Sequence, residues 1–385
     1  MKRKTLILCA SSFLAQLSIC MINFAMLYYL RWKYCLSSSL IGIASSVYTV
    51  TYFISCIIFS SLFKILSRMQ KAFIAFFGMA VSNIMILFVS SVPASFILLA
   101  LYGVAMSFLW PNIEDWITEG EEAGGLAKAT NSFNFSWSFG AGLSTMIGGF
   151  LVALSPSFPI ALGSFVFISI FFVLLLLNGK GYDTGKREVE DGNASLDRST
   201  ALRYFSWCGN FLNYACYALI INIFPLYALD VLGFDETKSG VLLLFRGLSA
   251  CASFIVFSKV GFWQFSKTIV LLSQLFLSFL FLVFSQLTSF VSLALFFALF
   301  GILFSLLYEM SIFHGASGAP EREKRMIIHE VLLNVGMVLG SSLGGIIYEC
   351  ISFNAILHML SLLILFFLLI EIAVAAFLSK KGLSL

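Results

Sequence analysis

The sequence predicts an all-α integral membrane protein of about twelve transmembrane helices, arranged as two pseudo-symmetric six-helix bundles. Three observations lead there: the composition, twelve apolar runs of membrane-spanning length, and a repeat displaced by about 198 positions. Of 385 residues, 60% are hydrophobic and 11% charged, with a mean hydropathy of +0.99. Soluble domains carry charge on about 25% of their residues. Hydrocarbon offers no partner to a backbone N–H or C=O, so runs of about 20 apolar residues must close their hydrogen bonds internally as helices.

The elements follow in order. Met1-Lys2-Arg3-Lys4 precedes an apolar stretch to Leu30, a charge pattern like that of a signal peptide but on a segment too long for one. It reads as an uncleaved first span. Apolar runs then fall near 6–30, 39–62, 72–91, 94–117, 130–153 and 158–178, and again near 203–228, 238–260, 267–286, 290–313, 327–350 and 354–378. The polar stretch between the two sets makes 179–202 a linker between halves 1–178 and 203–385. Positively charged loops stay cytoplasmic. With the N-terminus inside, nineteen of the 23 lysines and arginines fall on inner segments, Arg31, Lys33 and Lys238 lie outside, and only Arg246 lies within a span. Both termini are therefore expected in the cytoplasm, with the plasma (inner) membrane as the expected location. The eight cysteines are scattered singly, without a C-x-x-C pair, and read as small packing residues.

The repeat carries the argument from membrane protein to mechanism. Tyr29–Gly42 and Tyr227–Gly240 begin with tyrosine and end with glycine, 198 positions apart. Gly103 and Ser107 recur as Gly301 and Ser305 at the same displacement; Gly140, Ser144, Gly148 and Gly149 recur as Gly336, Gly340, Gly344 and Gly345, 196 positions on. Two bundles of the same topology, related by an axis along the membrane normal, suit rocking about a central site. The small residues share a helix face and permit close packing.

Twelve spans, a six-plus-six repeat and a central linker resemble the major facilitator superfamily over essentially the whole chain. The resemblance implies a secondary transporter, often proton-coupled, with spans one, four, seven and ten lining its cavity. The family's loop between spans two and three reads roughly G-x-x-x-D-x-x-G-R-K. Here Ser60 to Lys71 reads SSLFKILSRMQK, with Lys64 at the acidic position, Ser67 at a glycine position, and Arg68 and Lys71 as the basic remnant expected to gate. Glu119, Glu121 and Glu122 would supply the missing charge, or form a solvated acidic loop. The family's span-four arginine is Leu99, and the span-five antiporter pattern appears without its proline.

An ionisable side chain in a span costs at least about 2.5 kcal/mol, so it asks for a partner or a cavity. Arg246 offers a fork of donors to an anionic or hydroxylated solute, or else belongs to a structural ion pair. Glu309 beside Tyr308, the His329–Glu330 pair, and Glu114 are the candidate proton carriers, histidine being the side chain that changes charge near neutral pH. Glu330 reads equally as a helix-start carboxylate and Glu114 as an interfacial one. Pro111 should kink span four after Trp110. Asn210, Tyr214 and Tyr217 share one face of span seven with Asn213 adjoining. With Asn23 and Tyr28 of span one, Trp110 of span four, Asn134 and Trp137 of span five, Arg246 of span eight and Tyr308 of span ten, they are candidate solute contacts.

The expected function is secondary active transport of a small solute, a sugar or other polar metabolite, with possible proton coupling, by a monomer in the bilayer. No cofactor, metal or nucleic acid is expected. Efflux of drugs or lipophilic cations is the alternative. A transporter-like sensor and an acyltransferase are the alternatives of other classes, the latter poorly served by His314, His329 and His358, which lack a nucleophile or ligand partner at suitable spacing.

Overall fold

The computed structural model describes residues 3–59, 65–118, 123–178, 201–257, 259–317 and 322–380. These residues form helices without strands, and twelve of the segments are long and apolar enough to cross a membrane. In order the spans are Lys4–Tyr34, Ser38–Ile58, Arg68–Phe88, Val92–Ile113, Ser132–Leu154, Ser157–Leu176, Leu202–Asp230, Glu236–Phe257, Lys267–Phe284, Phe290–Gly315, Arg325–Cys350 and Phe353–Lys380. Their order and approximate limits match the apolar runs. Lys64 and the acidic loop Glu119, Glu121 and Glu122 lie outside the described residues.

Local chemistry sets several ends. Ser37, Ser67, Ser266 and Ser289 are helix N-caps whose hydroxyls accept from backbone N–H groups, and Gln70 completes a capping box with Ser67. Span four breaks after Met106 and resumes at Trp110. Pro111 lacks an N–H and crowds the carbonyl four residues back, which belongs to Ser107. Span seven breaks at Ile223, two residues before Pro225, a kink the sequence reading did not anticipate.

The repeat is preserved in contacts. A Cβ on Gly103 would meet the Tyr48 carbonyl, and one on Gly301 the Arg246 carbonyl; Gly140 abuts Phe13, and Gly336 abuts Phe211. Within each half, therefore, matched glycines let matched spans approach closely. Between halves, Gly42 faces the Ser341 carbonyl and Gly345 the Ser38 carbonyl, while Gly240 faces Thr145 and Gly149 faces Glu236. Spans two and eleven, and spans five and eight, thus form two glycine-lined seams. Many large apolar side chains stay exposed on the outside of the bundle, including Phe88, Leu154, Leu176 and Phe377, as lipid-facing residues do.

The even span count brings both chain ends to one face, called here the terminal face. On the opposite face the halves are sealed. Arg31 of span one pairs with Asp230 of span seven at 3.0 Å, and the Tyr348 hydroxyl of span eleven donates to the other Asp230 oxygen at 3.2 Å. The Ser39 N–H donates to Glu349 at 2.9 Å, and the Ser46 and Ser342 hydroxyls meet at 2.6 Å.

Candidate functional site

A cavity of about 390 Å³ lies between the halves on the terminal side of that seal. At about 30 Å³ per liquid water it has room for roughly a dozen waters, the scale of a small solute. Its walls come from spans one, two, four, five, seven, eight, ten and eleven. The resemblance implied only one, four, seven and ten.

The cavity inherits the repeat. Gln16 and Tyr214, Tyr48 and Arg246, and Trp110 and Tyr308 are pairs 198 positions apart, and both members of each line it. Asn134 and Glu330, Trp137 and Leu333, and Ala141 and Met337, 196 apart, do likewise. Chemistry breaks the symmetry. Arg246 and Glu330, the charged residues of this lining, both belong to the C-terminal half, and their mates are the neutral Tyr48 and Asn134.

Arg246 sits halfway along span eight, 5% exposed. Its guanidinium carbon lies 4.8 Å from the Tyr217 ring centroid and 5.9 Å from that of Phe304, a cation–π contact with two faces. Its Nε has no hydrogen-bond partner, and no carboxylate among the described residues lies within ion-pair distance. The cost of burying this charge is therefore only partly offset by the protein. Tyr217 and Tyr214 pack against Phe304 at tilted angles, and Tyr214 and Phe304 both reach Tyr308, so an aromatic wall runs from Arg246 toward the terminal face. Glu330, in the second turn of span eleven, is exposed to the cavity, and its carboxylate has no partner among the described residues. Asn334 donates to the Glu330 backbone carbonyl at 2.8 Å.

Of the candidate solute contacts, Asn23, Trp110, Asn134, Trp137, Tyr214, Tyr217, Arg246 and Tyr308 line the cavity. The other three do not. Tyr28 is buried with its hydroxyl toward Ser239. Asn213 donates to Asn210 at 3.4 Å and to the Phe304 carbonyl at 3.2 Å, so these amides tie span seven to span ten. Among the candidate proton carriers, Glu330 lines the cavity, whereas Glu309 is half-buried beside it and makes no hydrogen bond or ion pair among the described residues. His329 is 2% exposed, with Nδ1 2.7 Å from the Ser311 hydroxyl and its ring 5.6 Å from Tyr308. The Glu114 side chain lies outside the described residues. Arg68 and Lys71 stand in the first turn of span three at the terminal face, where the Arg68 carbonyl accepts from Asn112 at 3.0 Å. Gln16, Tyr48, Tyr52, Thr49 and Asn222 also line the cavity, and sequence reasoning missed them. For two of these a signal existed: Tyr48 is the repeat mate of Arg246, and Gln16 that of Tyr214.

Comparison with solved structures places the fold among membrane transporters. A POT family transporter in complex with a thioalcohol-conjugated peptide is similar at TM-score 0.78 and 13% identity, over 98% of this chain and 96% of that one. A nucleoside transporter, NupG, is similar at TM-score 0.70 and 15% identity, over 95% and 99%. A bacterial homologue of the human lysosomal transporter Spinster, inward-facing and unoccupied, is similar at TM-score 0.69 and 13% identity, over 91% and 82%. A search of curated protein sequences finds no match. The family model described as Major Facilitator Superfamily matches residues 8–317, from span one through span ten, and the chain belongs to that superfamily.

Proposed function

We propose that the chain is a secondary transporter that carries a small polar solute with an anionic group by alternating access, and that Arg246 anchors that group. The observation that carries this reading is the buried guanidinium in a central cavity with no carboxylate beside it. A planar fork of donors suits a carboxylate or phosphate better than a hydroxyl. The anionic metabolites are thereby favoured over neutral sugars. In the orientation set by the lysines and arginines, the terminal face is cytoplasmic, the opposite face is closed, and the cavity serves the inside. Rocking the halves about the two glycine seams would open the other side. Proton coupling through Glu309 or the His329–Glu330 pair, action as a monomer, and residence in the plasma membrane belong to the same reading.

Efflux of lipophilic cations draws on Glu330, Trp110 and Trp137, and the unpaired cationic charge of Arg246 opposes it. Counterflow in proteoliposomes decides. The purified chain is loaded with a panel of organic anions, sugars and lipophilic cations, and exchange of each labelled compound is followed for wild type and Arg246→Gln. Exchange of an anion, reduced at least tenfold in the variant, is expected. Exchange of cations alone, or of the anion at equal rate in both proteins, would overturn the anchor. Binding without exchange of any compound would favour the sensor.

A further inference from the structure

The cavity holds two opposite charges, and neither is consumed by the protein. Arg246 and Glu330 do not pair with one another, and no other described side chain neutralises either. Both share the cavity lining with Tyr214 of the aromatic wall. Their spacing follows from span ten. Gly301 abuts the Arg246 backbone, and Tyr308, seven residues along the same helix, abuts His329 next to Glu330. Seven residues of α-helix rise about 10 Å. The guanidinium leans over Phe304 on the same helix, so a solute lying along this wall can face both charged groups, which stand too far apart to pair directly.

We infer that the cavity is a site for an extended zwitterion, with its carboxylate on Arg246, its ammonium on Glu330, and its apolar middle along Tyr217, Tyr214 and Tyr308. The inference rests on the proposed role of Arg246 and adds the class of the other end. A simple anion on Arg246 would leave Glu330 unpaired, and a simple cation on Glu330 would leave Arg246 unpaired. A dipolar solute satisfies both. The spacing also selects length: in an α-amino acid the two charges are too close to meet both residues, whereas several methylenes or a peptide unit between them bridge the gap. In the N-terminal half the repeat mates Tyr48 and Asn134 are neutral, so one half recognises both charges and the other covers the solute.

The test measures binding of an ω-amino-acid series from glycine to 8-aminooctanoate, with hexanoate and hexylamine as single-ended controls, by calorimetry on the purified full chain. The expected result is an optimum near 6-aminohexanoate, at least tenfold tighter than hexanoate and than hexylamine. Glu330→Gln should remove the advantage of 6-aminohexanoate, so that the variant binds it no more tightly than hexanoate. Equal affinity of hexanoate and 6-aminohexanoate for wild type, which needs no variant to fold, would overturn the dipolar site while sparing the Arg246 anchor. Hexylamine binding as tightly as 6-aminohexanoate, or no member binding at all, would remove both.

Discussion

Arg246 is a liability to the fold while the cavity is empty. Placing a guanidinium at mid-membrane costs about 2.5–3.5 kcal/mol on insertion scales. The Tyr217 and Phe304 rings return about 0.5–2 kcal/mol of this. The balance remains against the empty protein. Replacing an unpaired buried charge with an apolar group of similar length should therefore stabilise. Arg246→Met is expected to raise the melting temperature of the unliganded protein in detergent, by an amount equivalent to about 1–2 kcal/mol, while losing anion binding. A lower melting temperature would mean that the guanidinium is held by structural partners, contrary to the orphaned Nε. At this scale the sequence was informative where chemistry is rare: an arginine inside an apolar run stands out without coordinates. It was silent on direction. The 3.6 period put Asn210 and the tyrosines on one face, yet Asn210 and Asn213 turn into the contact with Phe304, because helix rotation within the bundle is set by neighbours. Likewise, His314 accepts from the Phe265 N–H through Nε2, which leaves the ring proton on Nδ1 to donate to the Ser206 hydroxyl, and so holds a loop residue at φ 52°, a role that needs tertiary structure to be seen.

Between elements, the opposite face is closed by a small number of polar contacts over tightly packed glycines. Asp230 is the hub, joining span seven to span one through Arg31 and to span eleven through Tyr348. The ion pair is about one-third exposed, with side-chain accessibilities of 35% and 27%, so solvent screens it and it contributes at most about 1 kcal/mol. One kilocalorie moves a two-state equilibrium by about fivefold. Asp230→Asn should accordingly leave the fold intact and raise the population open at the opposite face by up to about fivefold. The measurement is the rate at which an impermeant maleimide, added on the opposite side, labels Ser46→Cys within the seam. An unchanged rate would show that the glycine seams hold the face closed without the ion pair. The seams themselves were legible as stripes of small residues. Their partners were not, since a stripe on one helix does not name the helix that meets it. Pro111 announced the break in span four, and Pro225 in span seven, equally visible, went unread.

For the whole molecule, the repeat was the part of the architecture most legible in sequence, and it extends to the cavity, where nine pairs of lining residues obey the two displacements. What the displacement cannot reveal is which pairs point inward, because that follows from how the two bundles face each other. The asymmetry of charge has an electrical consequence. Under the proposed zwitterion site, Arg246 and Glu330 together contribute no net charge and the solute adds none, so loaded and empty carriers would cross the membrane field equally. Any dependence on potential must then come from a coupled ion. One elementary charge crossing 100 mV is worth about 2.3 kcal/mol, close to a fiftyfold concentration ratio. With one proton per solute, as the coupling reading requires, proteoliposomes given a 100 mV inside-negative potassium diffusion potential should accumulate 6-aminohexanoate toward about fiftyfold without any pH difference. Glu309→Gln should abolish accumulation and leave exchange at equilibrium intact if that carboxyl carries the proton, whereas an effect on exchange as well would place Glu309 in solute binding. Equal uptake with and without the potential, in a protein that exchanges solute readily, would identify a uniporter or an electroneutral exchanger and remove the coupled proton.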